Sequence, residues 1–214
     1  AVEQHNEVCR LIRAIGDFRK EANPRVTGYE FHILTLVSYV APKHLIVDKL
    51  RETLEEIKTR EPDAADKYRA RVVFVGSEVD DVDVIRLVEE SGAYVCADRF
   101  CYGSLPGRDE ILLNDEEDVV KQVCRQVQGR AQCPRYWDMA KMTGRRDYVA
   151  DLAKEYGADG IIYEQMKFCD PWAYERMIGT IVLRDEHGYP VLAVDRPYSI
   201  GSSGQMRTRV QAFV

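Results

Sequence analysis

Asp159-Gly-Ile-Ile-Tyr-Glu-Gln-Met-Lys-Phe-Cys-Asp-Pro171 runs from a short apolar stretch through polar residues into a cysteine and then an Asp-Pro pair. Gly160 to Tyr163 is apolar on both faces, which predicts a strand covered on both sides. Pro171 fits the first turn of a helix that finishes near Gly188. A strand leading directly into a helix is half of a βαβ unit. In open sheets of such units, ligands and chemistry gather at the loops that leave the strand carboxyl ends. Cys169 occupies one of those loops.

The same alternation recurs on both sides of this stretch. Residues 72–75, 93–97 and 191–194 read as further strands, and residues 82–90, 115–127 and 148–156 as helices. Gly92 and Gly157 close two of those helices, and Gly204 opens a last one. This predicts a doubly wound, flavodoxin-like or Rossmann-like α/β domain with about four parallel strands over residues 67–214. Residues 1–66 read as a helical lead-in segment and linker. One helix covers 2–20; Thr27 with Glu30 forms a capping box for a second, reaching Val40; and Pro42 opens a third. Glu61 to Asp66 is the expected linker. His5, His32 and His44 lie on these helices without ligand spacing and are expected to be packing or surface residues.

A chain of 214 residues holds one main core. Its net charge of -6, with Lys and Arg scattered, leaves no basic face for a phosphate backbone, so a nucleic-acid partner is not expected. No run approaches the roughly 20 apolar residues that span a bilayer, and no leader pattern is present. No membrane association and a cytoplasmic location are therefore expected. The first residue already lies inside a helical pattern and the last apolar run ends uncapped, as expected for a piece of a longer polypeptide. The six cysteines are too dispersed for a secreted disulfide scaffold.

Four loops should meet at the carboxyl edge, 76–80, 98–104, 164–170 and 195–204, and of the cysteines only Cys101 and Cys169 fall in them. Cys9, Cys96, Cys124 and Cys133 are expected to pack. Lys167 and the helix start should favour the Cys169 thiolate, the form that binds metal. His187 is expected on the far side of its helix, so no Cys–His pair is visible, and the absence of CxxC rules out a locally spaced zinc or ferredoxin site. The glycine-rich residues 200–205 make either an anion cradle or a plain helix cap, with Arg207 and Arg209 expected mainly to face solvent. Glu78 and Asp80 in the first loop count against a nucleotide- or flavin-binding module.

Five segments together resemble the carboxyl-terminal half of the subunits of 2-hydroxyacyl-CoA dehydratases (the 2-hydroxyglutaryl-CoA dehydratase D-component) and benzoyl-CoA reductases. They are Arg71-Val-Val-Phe-Val-Gly-Ser-Glu-Val-Asp80, Asp98-Arg-Phe-Cys-Tyr-Gly-Ser104, Gly157-Ala-Asp-Gly-Ile-Ile162, Lys167-Phe-Cys-Asp-Pro171 and Gly204-Gln-Met-Arg-Thr-Arg-Val-Gln-Ala-Phe213. The resemblance implies an oxygen-sensitive [4Fe–4S] cluster held by three cysteines with one iron open. Cys169 would be the third ligand, and the other two would come from an amino-terminal domain that this chain lacks. It further implies a heterodimer with a homologous second subunit, an ATP-dependent iron–sulfur activator that delivers one electron, and a CoA-thioester substrate that loses water. The reductase branch, which consumes electrons on an aromatic ring, is the alternative. A non-catalytic scaffold or electron-relay domain is the alternative of another class. Alone, the chain should neither complete a cluster nor turn over substrate, and the acid/base residues are expected upstream. Phe168 and Tyr102 are expected to shield the cluster, and Arg99, Glu164 and Gln165 to orient neighbours by hydrogen bonds. Cys101, Gly103, Gly204, Gln205 and Arg207 complete the expected lining of the site.

Overall fold

The computed structural model describes residues 1–62, 67–101, 103–104, 109–198 and 203–214. Tyr102, most of the expected linker and residues 200–202 of the glycine-rich stretch lie outside the described residues. Three helices come first: α1 (Val2–Asp17), continued by a 3₁₀ turn at Phe18–Lys20, then α2 (Gly28–Val40) and α3 (Lys43–Thr59). The α/β part follows as β1 (Ala70–Val75), α4 (Val82–Glu90), β2 (Ala93–Arg99), α5 (Val119–Gly129), α6 (Met139–Glu155), β3 (Gly160–Met166), α7 (Asp170–Asp185), β4 (Val191–Arg196) and α8 (Ser203–Phe213).

The four strands are all parallel, in the order β2-β1-β3-β4. Parallel neighbours need crossover helices, and these cover both faces of the sheet. On one face Val72, Phe74 and Ile162 pack with Ile85 and Val88 of α4 and Val210 of α8. On the other, Val73, Val75, Ile161 and Tyr163 pack with Leu152 of α6 and with Trp172 and Leu183 of α7. Alternate residues of one strand thus feed opposite cores, which is why each strand reads as continuously apolar. The architecture is the doubly wound α/β fold that the sequence pattern predicts.

The first three helices hold their own core of Val8, Ile12, Ile15, Phe31, Leu50 and Ile57. They join the sheet through polar contacts. The capping box of α2 is present, with the Glu30 N–H donating to Thr27 Oγ1 at 3.0 Å and the Thr27 N–H to Glu30 Oε2 at 2.9 Å. The half-buried Glu89 carboxylate accepts from the N–H groups of Gly28, Tyr29 and Val95. Burial pushes Glu89 up to about 7. Arg19 is fully buried, with Nη1 3.2 Å from Asp98 Oδ1 on β2 and the guanidinium 3.6 Å over the Phe31 ring.

The structure corrects several boundaries. β2, β3 and β4 each run past their apolar stretch, so Arg99, Glu164 and Gln165 are strand residues rather than loop residues. α5 starts at Val119, because Asp118 caps it by accepting from the Lys121 N–H at 3.1 Å. α6 starts at Met139, well before residue 148, with Asp138 as its cap. Its first half is polar because Arg145 and Arg146 are buried against Glu175 of α7. Gly157, at φ +59°, closes α6 as expected. Cys124 is exposed rather than packed. His187 lies beyond the end of α7, 3.7 Å from Asp147. Among the described residues no helix is long and apolar enough to cross a membrane.

Candidate functional site

From β1 the chain runs outward to β2 and then returns past β1 to β3, so the switch point of the fold lies between β1 and β3. At the carboxyl end of that pair stands Glu164, fully buried on β3. Its Oε2 accepts from the Ser77 N–H at 3.1 Å and the Ser77 hydroxyl at 2.9 Å, and the same hydroxyl accepts from the Met166 N–H at 2.7 Å. Oε1 lies 2.9 Å from Arg196 Nε, a charge contact without hydrogen-bond alignment. Burial raises the carboxyl to about 7, against the opposing pull of Arg196 and Ser77. Only glycine fits at residue 76. A Cβ there would stand 2.3 Å from the Glu164 carbonyl oxygen and 2.5 Å from Oε2.

Beyond Met166 the chain makes one tight turn, closed by the Cys169 N–H donating to the Met166 carbonyl at 3.1 Å. Phe168 takes the left-handed conformation at φ 71°, uncommon for a side chain of this size, and is 97 % exposed. Cys169 is then the N-cap of α7 and half-buried, with no side-chain capping hydrogen bond, at a helix start that favours negative charge. Burial nevertheless dominates and raises the thiol above its usual range. The expected help from Lys167 is not there, since its ammonium lies 3.7 Å from Asp195 instead. Gln165 accepts from Arg176 Nε at 3.1 Å.

A second cluster forms at the end of β2. Arg99 is buried, donating from Nε to Gln132 Oε1 at 2.9 Å and from Nη2 to the Gln132 carbonyl at 2.6 Å, with its guanidinium 4.9 Å over the Trp172 ring. Trp172 Nε1 donates to Cys101 Sγ at 3.3 Å, and burial pushes the Cys101 thiol up to about 11. Cys133 lines a cavity together with Arg99, Cys101 and Trp172, so it reaches this edge instead of packing in a core. The signal for it was α6. A crossover helix runs back against the strands, so the loop before its true start has to lie at their carboxyl ends.

His5 and Cys9 correct a further expectation. They are one turn apart on α1 with Nε2 and Sγ 3.4 Å apart, so a Cys–His pair does exist. Burial lowers His5 and raises Cys9 to about 11, so neither favours its charged form. Gly103 is buried against Asp98, where a Cβ would be 2.7 Å from Oδ2, and its carbonyl accepts from the Tyr39 hydroxyl at 3.0 Å. Gly204 and Gln205 are exposed at the start of α8. Arg207 pairs with Glu90 at 2.9 Å, at the end of α4 and hence on the amino side of the sheet. The fold therefore gathers Arg99, Cys101, Glu164, Gln165 and Cys169 at one edge and turns Arg207 away from it.

The sequence matches the family of the 2-hydroxyglutaryl-CoA dehydratase D-component over residues 1–214. The chain belongs to this family. Among its relatives, the beta subunit of (R)-phenyllactyl-CoA dehydratase from Clostridium sporogenes is 29 % identical over 215 residues, covering 100 % of the chain and 55 % of the relative. The beta subunit of lactoyl-CoA dehydratase from Anaerotignum propionicum is 26 % identical over 167 residues, covering 77 % of the chain and 42 % of the relative. The chain thus spans about half the length of these relatives.

Among the described residues, no three His, Cys, Asp or Glu side chains are grouped to hold a metal ion. Cys169 does fit as a single donor. Its sulfur is partly shielded and sits at a helix N-terminus, an arrangement that favours the thiolate form once a metal displaces the proton.

Proposed function

We propose that this chain is the cluster-supporting part of one subunit of a radical-type 2-hydroxyacyl-CoA dehydratase, with Cys169 as one thiolate ligand of a [4Fe–4S] cluster. The observation that carries this is the coincidence of a whole-chain match to the D-component family with a half-buried cysteine at the carboxyl end of β3, beside the switch point. The remaining cluster ligands come from residues outside this chain. When bound, such a cluster supplies one-electron transfer and a Lewis-acidic iron for the thioester carbonyl.

The residues present do three things for that chemistry. The N-terminus of α7, where Cys169 stands, lowers the cost of negative charge on its sulfur. Ser77 and Glu164 lock the β1 loop to the end of β3, so the turn carrying Cys169 leaves a fixed platform. Trp172 and Phe100, both buried, exclude water from one side of the cysteine-bearing edge. The partner is a homologous second subunit, and an ATP-dependent iron–sulfur activator delivers the electron. The substrate is a 2-hydroxyacyl-CoA that loses water.

The test is an anaerobic assay of the full chain, co-expressed with its partner subunit and supplied with activator, ATP and 2-hydroxyacyl-CoA esters. Formation of the 2-enoyl-CoA product is expected, falling to below about 1 % with Cys169→Ser, as for loss of a metal ligand. Undiminished dehydration by that variant would remove Cys169 from the chemistry.

A further inference from the structure

Five arginines are buried among the described residues, and four of them face a carboxylate: Arg19 pairs with Asp98, Arg145 and Arg146 with Glu175, and Arg196 with Glu164. Arg99 is the exception. Its Nε and Nη2 are satisfied by Gln132, but Nη1 has no hydrogen-bond partner among the described residues and no carboxylate forms an ion pair with the group. A buried charge left without a counter-ion is strongly unfavourable, and burial alone already weakens the hold of Arg99 on its proton.

Arg99 lines a cavity of about 280 Å³ between α1, the end of β2 and the segment leaving α5. Its walls are mostly apolar, from Phe100, Ile111, Val127 and Trp172, and the Arg99 guanidinium carbon stands 4.9 Å from the centre of the Trp172 ring. His5, Arg130 and Asp109 add the polar groups, and Asp109 is exposed. One free guanidinium nitrogen inside an apolar enclosure suits a ligand with a single compact negative charge on an apolar body. A phosphate, with more oxygens to satisfy, finds too few donors there.

We propose that this cavity is a binding site for a small organic carboxylate, whose oxygen accepts from Arg99 Nη1 while its apolar body packs against Trp172, Ile111 and Val127. The site is independent of the cluster assignment and stands whether or not Cys169 binds metal.

Isothermal titration of the full chain with benzoate, its neutral isostere benzamide and inorganic phosphate tests the proposal. Benzoate is expected to bind saturably, with benzamide and phosphate at least about tenfold weaker, as for loss of one charge-assisted hydrogen bond. Arg99→Met removes the charge, and Val127→Trp fills the cavity from a position that is 58 % exposed, so it leaves the cores intact. Each variant is expected to weaken benzoate about tenfold or more. Should Arg99→Met fail to fold, Val127→Trp decides. Absence of saturable benzoate binding to the wild type, equal affinity for benzamide or phosphate, or unchanged affinity in Val127→Trp would overturn the proposal.

Discussion

Glu164 combines complete burial, two hydrogen bonds from Ser77 and an arginine contact, and its carboxyl sits near 7. Because the folded value lies above the unfolded one of 4.5, the folded protein holds this proton more tightly. The resulting stability is fully present below about 4.5 and is lost as pH rises through about 7. Glu164→Gln cannot ionise. Between pH 5 and 8 the wild type should lose more stability than this variant, by roughly 1–2 kcal/mol, in urea unfolding followed at both pH values. Parallel losses would show that the carboxylate is charged throughout. At this scale the sequence placed Glu164 in a carboxyl-edge loop as a residue that orients neighbours, and Ser77 in another such loop without a role, because a serine reveals its partner only when two strands are brought side by side. Cys169 was legible from position alone. Its raised thiol was not, since burial and the diversion of Lys167 to Asp195 are properties of the packed loop.

Secondary-structure elements were most legible where local chemistry is self-contained. The capping box of α2 can be read from Thr27 and Glu30, and it forms. Thr27→Ala should therefore cost about 1 kcal/mol in denaturant unfolding. No change would mean that the Glu89 contacts to the Gly28 and Tyr29 N–H groups hold the helix start unaided. Elements whose pattern depends on partners were misjudged. The first half of α6 looks too polar to pack, yet Arg145 and Arg146 are buried because Glu175 comes from another helix. The strand ends past residues 97, 163 and 194 look like loops because their polar side chains are satisfied across the sheet edge. This is also why Cys133 was not expected at the candidate site. Its placement follows from where α6 begins.

At the scale of the whole molecule, three apolar cores are joined by buried polar contacts, and the Arg19–Asp98 pair links the leading helices to β2. Arg19→Met takes the guanidinium away from a buried carboxylate. It is expected to destabilise the protein by about 3 kcal/mol, with Asp98→Asn restoring part of the loss in the double variant. Additive losses would mean that the two groups do not stabilise each other. The alternation of apolar strands and helices carried the fold class from sequence, and the loop rule carried the cysteine-bearing edge. The placement of Arg207 on the amino side was out of reach, because it depends on the docking of α8 against α4.

Whether Cys169 ligates a cluster is read most directly from anaerobic iron and acid-labile sulfide analysis of the full chain with its partner subunit, comparing wild type with Cys169→Ser. If it does, the variant loses about one four-iron cluster. Equal iron and sulfide in both proteins would contradict that ligation.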